Sequence, residues 1–416
     1  LTDCGTANPS RFGQKVFFTA LVEATAPGGG IPSGTVTFKD GATILETVDI
    51  NSDGSATLAI QSLSVGGHTI TGTYNGAVNY NGSVSGGMGH TVNKADTSAA
   101  MTNPAGAVVY KFGQIFSLAA KITVLPCGQS GPWGFPTGKA RFIFSPVVNF
   151  NGQPYLEADV SGDGSVNATI PFQDYPNAGV YSVTATYQGD GNFNASAPSA
   201  ARSITIQAAS TTTAVTTSLS PSVYGQAVDF TVTVSVVQPG SIIPGTSDPN
   251  KVTTGSVQLA FTPGINPPFV LIGNLTLTPG QPFNGTVTIP GGLLPVDTYS
   301  VQATYISTTP NFLGSTSPLY VGAPGVPQIV VKANTTTSIS TSTNPALSGQ
   351  TVTLTSNLLV LPPGAGAPSG TIAFKNGGVN IPGCGAVALV GLTATCNTSF
   401  MTGSYTLTAV YSGDSN

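Results

Sequence analysis

The chain has 416 residues, of which 28 are charged (12 Lys and Arg, 16 Asp and Glu), for a formal charge of −4. At 7% charged and 40% hydrophobic, it has neither the high net charge of a disordered chain nor the basic stripe of a nucleic-acid binder. No apolar run approaches the ~18–20 residues that span a bilayer. Two histidines leave little for metal binding or acid–base chemistry near neutral pH, and 52 Gly with 32 Pro indicate a turn-rich β protein.

In chain order, the first recognisable signal is Phe12-Gly13-Gln14, followed by apolar residues at alternate positions: Val16, Phe18, Ala20 and Val22. Period two is the strand signature. A second strand follows in Pro32-Ser33-Gly34-Thr35-Val36-Thr37-Phe38-Lys39, a later one runs from His68 to Tyr74, and a final one spans Ser83–Asn93. The order then repeats. Phe112-Gly113-Gln114 leads to Pro136-Thr137-Gly138 and a strand from Tyr181 to Tyr187, with a last strand in Ser196–Gln207. Tyr224-Gly225-Gln226 leads through Val228, Phe230, Val232 and Val234 to Thr254-Gly255-Ser256-Val257 and a strand from Tyr299 to Tyr305. The fourth copy has the degenerate start Ser348-Gly349-Gln350, then Pro368-Ser369-Gly370-Thr371-Ile372-Ala373-Phe374-Lys375 and a strand from Tyr405 to Tyr411. Two of the closing tyrosines open a Gly-Asp turn, at Gly189-Asp190 and Gly413-Asp414. Units of roughly a hundred residues, each made of short strands with regular turn signals, indicate β-sandwiches.

The order Phe-Gly-Gln, Pro-x-Gly-Thr-Val-Thr-Phe-Lys, Tyr-x-Gly-Asp resembles the bacterial immunoglobulin-like (Ig-like) domain repeats of secreted and cell-surface proteins. Copies one and four match best; copy three has Ser307-Thr308 in place of the Gly-Asp turn. The resemblance implies an all-β chain of four tandem Ig-like β-sandwiches, over residues 1–95, 96–208, 209–333 and 334–416. It also implies a structural or adhesive role outside the cell, with no catalytic residue and no cofactor.

The singled-out residues read mainly as scaffold. Tyr181, Tyr299 and Tyr405 stand where a tyrosine corner hydrogen-bonds back to the backbone, and His68 takes that place in copy one. Asn51-Ser52-Asp53-Gly54 and Gly162-Asp163-Gly164 suit hairpin turns, and one Asp per turn is too few for a Ca²⁺ site of about six oxygens. Trp133, the only tryptophan, with Phe135, is either a ligand or subunit contact, such as a glycan platform, or filler in the joint between copies one and two. Junctions near 91–101, 203–215 and 328–340 lack Gly/Ser linkers, which predicts a stiff rod. Seven Asn-x-Ser/Thr sites in so polar a chain carry little weight.

Cys384 and Cys396 lie six residues either side of Val390, which predicts a disulfide across a hairpin and an oxidising compartment. Cys4 and Cys127 fall at opposite poles on this reading, and are either free thiols or links to another chain. Copy four lacks its final strand. Its loss forfeits about 5–9 kcal/mol of apolar burial, comparable to a domain's entire stability. Either the chain is an excerpt of a longer repeat protein, or another subunit donates the strand. The expected partners are other copies of the chain or surface glycans, with no nucleic acid and no membrane span. With only three Glu (Glu23, Glu46, Glu157) and no catalytic motif, an enzyme is not expected.

Overall fold

The computed structural model describes residues 8–126, 134–242, 255–264, 269–271, 283–318 and 327–416. The chain divides into two compact units, Leu1–Gln207 and Ala208–Asn416. Apart from one 3₁₀ turn at Phe172–Asp174, the regular structure of the described residues is all β.

The first unit begins with β1 (Ser10–Arg11), β2 (Val16–Leu21), β3 (Thr35–Asp40), β4 (Thr43–Asp49), β5 (Ser55–Ile60), β6 (Gly66–Tyr74), β7 (Ser83–Val84) and β8 (Met88–Asn93). One sheet has the order β1-β8-β6-β3-β4, with β7 on β6, and the other is β2-β5. Next come β9 (Thr97–Asn103), β10 (Val108–Lys111), β11 (Ser117–Val124) and β12 (Lys139–Ser145). They are followed by β13 (Leu156–Asp159), β14 (Ser165–Thr169), β15 (Gly179–Tyr187) and β16 (Arg202–Gln207). Their sheets are β10-β16-β15-β12-β13 and β14-β11-β9.

The second unit repeats the plan. It opens with β17 (Thr211–Thr217), β18 (Ser222–Val223), β19 (Val228–Val236), β20 (Gly255–Pro263) and β21 (Phe269–Leu271). Then come β22 (Phe283–Ile289), β23 (Asp297–Ser307), β24 (Ser315–Thr316) and β25 (Gln328–Val331). The final set is β26 (Thr335–Thr341), β27 (Thr351–Val360), β28 (Thr371–Asn376), β29 (Val379–Asn380), β30 (Val387–Ala388), β31 (Thr393–Ser399) and β32 (Leu407–Tyr411). The sheets are β17-β19-β22 with β18-β25-β23-β20-β21, then β26-β27-β31 with β29-β28-β30 and β32 on β28.

Alternation sets the faces. On β19, Val228, Phe230, Val232 and Val234 are buried while the residues between them are partly exposed. Aromatic residues fill the sandwiches: Phe142 and Phe144, and Phe230 edge-on to Phe261 at 5.1 Å, are almost solvent-free. Burying each such side chain contributes about 1.5–3 kcal/mol.

The Aro-Gly-Gln motif is a self-locking turn. The Gln14 N–H donates to the Arg11 carbonyl (3.0 Å), while the Gln14 side-chain oxygen accepts the Arg11 N–H (2.9 Å). The same pair of bonds joins Gln114 to Lys111, Gln226 to Val223 and Gln350 to Leu347. The central glycines have φ of 76°, 78°, 88° and 77°, which a type II turn requires at its third position.

At the corner, each side chain bonds the carbonyl four residues back. Tyr181 donates to Asn177 (2.9 Å), Tyr299 to Pro295 (2.8 Å) and Tyr405 to Met401 (3.0 Å), and His68 Nε2 lies 2.8 Å from the Ser64 oxygen. The turns at Asp53 and Asp163 are not hairpin connections, because each passes the chain from one sheet to the facing one. Their aspartates accept the N–H and hydroxyl of Ser55 and Ser165.

Cys384 and Cys396 are bonded, with Cα atoms 5.8 Å apart. The bridge does not cross a hairpin. Cys396 is on β31, which pairs β27, whereas Cys384 sits in the turn before β30, whose partner is β28. The disulfide therefore ties the two facing sheets together beside a core of Val352, Leu354, Ile372 and Phe374. Chain symmetry about a turn does not require both arms to remain in one sheet.

Tyr299 is fully buried, whereas Tyr405 is 37% exposed. Tyr299→Phe should lower the unfolding free energy by about 1–3 kcal/mol, because the Pro295 carbonyl loses its donor away from water. Tyr405→Phe should cost much less. Denaturant titration of the two variants checks the difference.

Candidate functional site

No cluster of three or more His, Cys, Asp or Glu side chains among the described residues is placed to hold a metal ion. What recurs is a joint between sandwiches, built on one alanine. In the first unit Ala95 forms a parallel bridge with Phe193 of the following sandwich. Its N–H donates to the Asn192 carbonyl (2.9 Å) and its carbonyl accepts the Asn194 N–H (2.8 Å). From the other side the Leu125 N–H donates to the Asp96 carbonyl (2.9 Å). Ala95 and Phe193 are both fully buried.

The aromatic of the first Aro-Gly-Gln turn completes this joint. Phe12 meets Phe193 edge-on, with ring centroids 5.5 Å apart, and Gly134 lies close to the Phe12 ring. Around this apolar contact, Arg11 holds the Lys94 carbonyl (3.0 Å) and the Asp96 carboxylate (2.9 Å). Asp190, from the Gly-Asp turn, accepts the N–H and hydroxyl of Thr137 at 2.8 and 2.7 Å and the N–H groups of Asn192 and Phe193. Burial alone would raise its pKa; these four donors outweigh burial and lower it.

The second unit repeats the device twice. Ala209 bridges Phe312, and is bonded on both sides by Asn311 and Leu313. The Ala333 N–H donates to the Asn416 carbonyl (2.8 Å), and the Leu361 N–H to the Asn334 carbonyl (2.8 Å). Lys332 reaches the Asp414 carbonyl, as Lys94 reaches that of Asp190. Asp414 in turn binds Ser369, as Asp190 binds Thr137. Glycines make room for the alanines: a Cβ on Gly240 would come within 2.6 Å of the Ala209 Cβ, and one on Gly364 within 2.7 Å of the Ala333 Cβ.

The third joint differs in one respect. Ala95 and Ala209 are solvent-free, whereas Ala333 is only half-buried. Strand β8 pairs β6, β16 pairs β15 and β25 pairs β23, each antiparallel.

The two histidines face each other in register, His68 on β6 and His90 on β8. His68 Nδ1 lies 2.7 Å from Asp40 and its Nε2 contacts a carbonyl, so both ring nitrogens donate and the fold favours the imidazolium. Burial opposes this, but the bonds to Asp40 and Ser64 outweigh it and raise the His68 pKa. Burial, followed by the charge of His68, lowers that of His90, whose Nε2 bonds the Ser10 hydroxyl at 2.9 Å. Phe135 is exposed at 44%, next to the Gly134 that borders the first joint. Cys4, Cys127 and Trp133 lie outside the described residues.

A family model for the bacterial Ig-like domain (group 3) matches residues 4–93 and 337–416. Those two segments are bacterial Ig-like domains. The residues between them repeat the sheet order of the first segment, the turn lock and the corner bond. No curated protein matches the chain. Among solved structures, a tetra-tandem repeat from the extending region of a large adhesion protein is 15% identical, with TM-score 0.30, covering 100% of this chain and 98% of that one. An adhesin from Escherichia coli is 13% identical, with TM-score 0.21, covering 80% and 98%. A 1.5-MDa bacterial ice-binding adhesin is 13% identical, with TM-score 0.20, covering 77% and 91%.

Ala95→Leu should overpack the first joint and cost about 1–3 kcal/mol. In calorimetry the first unit should then melt in two steps rather than one. The histidine pair predicts opposite pH slopes. The His68 contribution is full below about pH 6.5 and is lost as pH rises through its raised folded value. The His90 contribution is full above about pH 6.5 and is lost as pH falls through its lowered one. His68→Tyr, which installs the residue of the other copies, should abolish the loss on the alkaline side and reduce, without abolishing, that on the acid side, because burial still lowers the His90 pKa; denaturant midpoints from pH 5 to 8.5 read both.

Proposed function

We propose that this chain is a non-enzymatic structural component of a bacterial cell-surface or secreted appendage. On this reading it has four Ig-like sandwiches, with boundaries near residues 95, 208 and 333, and works by joining them end to end and associating with other copies into a filament. The joint alanine carries the proposal. Ala95, Ala209 and Ala333 each take a main-chain bond from or to the loop they enter, which leaves the linkers little freedom. A flexible tether between independent binding domains has no use for such bonds.

Surface chemistry supports association between chains. The outer face of β26, β27 and β31 presents Ser338, Ser340, Thr353, Thr355, Asn357, Thr395 and Asn397, without a charge among them. Packing such faces together desolvates no ion. The sheet-to-sheet disulfide suits an oxidising extracellular setting.

The purified full chain should form concentration-dependent oligomers in light scattering after size exclusion, and linear arrays in electron microscopy. A monodisperse monomer over the whole accessible concentration range would contradict the filament.

A further inference from the structure

We propose that the histidine pair of the first sandwich is an acid-sensitive latch on the first joint: protonation of His90 releases β1, and with it the Arg11 and Phe12 side chains that grip the next sandwich. The latch acts on a joint within one chain, and stands whether or not chains associate.

The two imidazoles are the chain's only histidines, and the pairing of β6 with β8 sets them directly opposite each other. Both are buried, at 9% and 5% exposed. His68 lies between the Asp40 carboxylate of β3 (2.7 Å) and the Ser64 carbonyl (2.8 Å), two acceptors that favour its charged form. The groups around His90 are His68 from β6, the Phe18 ring from β2 and the Ser10 hydroxyl from β1. The ring of Phe18 is edge-on with its centroid 5.3 Å away, and the hydroxyl is 2.9 Å from Nε2. Asp40 lies beyond His68, bonded to that ring and to the Thr69 N–H. A serine hydroxyl can pair with either form of His90, so this bond does not choose between them. Burial, followed by the charge of His68, does choose, and lowers the His90 pKa.

Strand β1 is the part that can yield. It has two residues and forms the edge of its sheet, against β8. Its detachment removes the hydroxyl at Nε2 and opens that nitrogen to water, while β6 and β8 stay paired. The same short segment grips the joint: Arg11 holds the Lys94 carbonyl and the Asp96 carboxylate, and Phe12 meets Phe193. The second and third sandwiches lack the titratable group. Opposite Tyr181 stands Ile204, and opposite Tyr299 stands Gln328, which bonds Ser222 (2.9 Å) as His90 bonds Ser10.

Freed of β1, His90 regains the ordinary imidazole value of about 6.5, while the covered ring resists the proton. The open form therefore gains as pH falls below about 6.5, until the covered ring also takes up its proton. At pH 5.0 an ordinary imidazole is about thirtyfold more charged than neutral, which caps the gain.

Amide hydrogen exchange on the intact chain at pH 7.5 and 5.0, expressed as protection factors, tests the latch. Three equivalent amides report on it: Phe12, Phe112 and Tyr224 donate to the carbonyls of Asn93, Gln207 and Val331. Protection at Phe12 and Ala95 should fall several-fold in acid, by at most about thirtyfold, while Phe112 and Tyr224 keep theirs. His90→Gln, which installs the residue of the third sandwich, should keep Phe12 and Ala95 protected at both pH values. Unchanged protection at Phe12 in the natural chain, or an equal loss at all three amides, would overturn the proposal, and neither result depends on a variant that folds. A loss at Phe12 that leaves Ala95 protected would also overturn it, because β1 would then leave without loosening the joint. So would a loss that persists in His90→Gln, which would place the sensitivity on another group.

Discussion

Each joint in this protein depends on a residue with almost no side chain. Each alanine bonds a loop of the sandwich it precedes: Ala95 and Ala209 meet an Asn-Phe pair, and Ala209 and Ala333 pack on a Pro-Gly turn. Anything larger would strike the turn, and anything with a polar tip would leave that tip dry. A small apolar residue also leaves the main chain free to bond on both sides. The bonds of one joint are individually worth about 0.5–1.5 kcal/mol, but they act on a segment too short to reorganise between them.

The remaining motifs surround that clamp. The Aro-Gly-Gln turn presents Phe12 to Phe193, and its glutamine closes the turn so that the ring cannot drift. The Gly-Asp turn fixes the receiving loop by binding Thr137 or Ser369. The closing tyrosines Tyr74 and Tyr187 reach the Ser33 and Thr137 carbonyls at the same place. Two distant stretches of sequence, Pro-Ser/Thr-Gly and Tyr-x-Gly-Asp, thus recur together because they bond each other. The fourth copy keeps this receiving apparatus yet has Ser348 in place of the projecting aromatic.

Much of the fold could be read from the sequence because its determinants are local. Strand alternation, turn glycines and a corner bond of only four residues' reach recur in each copy, so even His68 was recognisable as a corner residue from its position. The Cys384–Cys396 pairing was legible too, but not its role between sheets, since sequence spacing does not say where a chain changes sheet. The joint alanines escaped notice. An alanine advertises no chemistry, and the Asn-Phe pair that receives Ala95 lies about a hundred residues away. A signal did exist in the pairing of Lys94-Ala95 and Lys332-Ala333 with Asp190 and Asp414. The Aro-Gly-Gln motif was read as the start of a unit, although its aromatic is equally a contact with the next one.

Amide hydrogen exchange on the intact chain tests the clamp most directly. The Ala95 and Asn194 amides should exchange as slowly as those in the middle of β15. Exchange at Ala95 and Asn194 on the timescale of an exposed linker would contradict the account, because the sandwiches would then be joined by a tether rather than by a bonded joint.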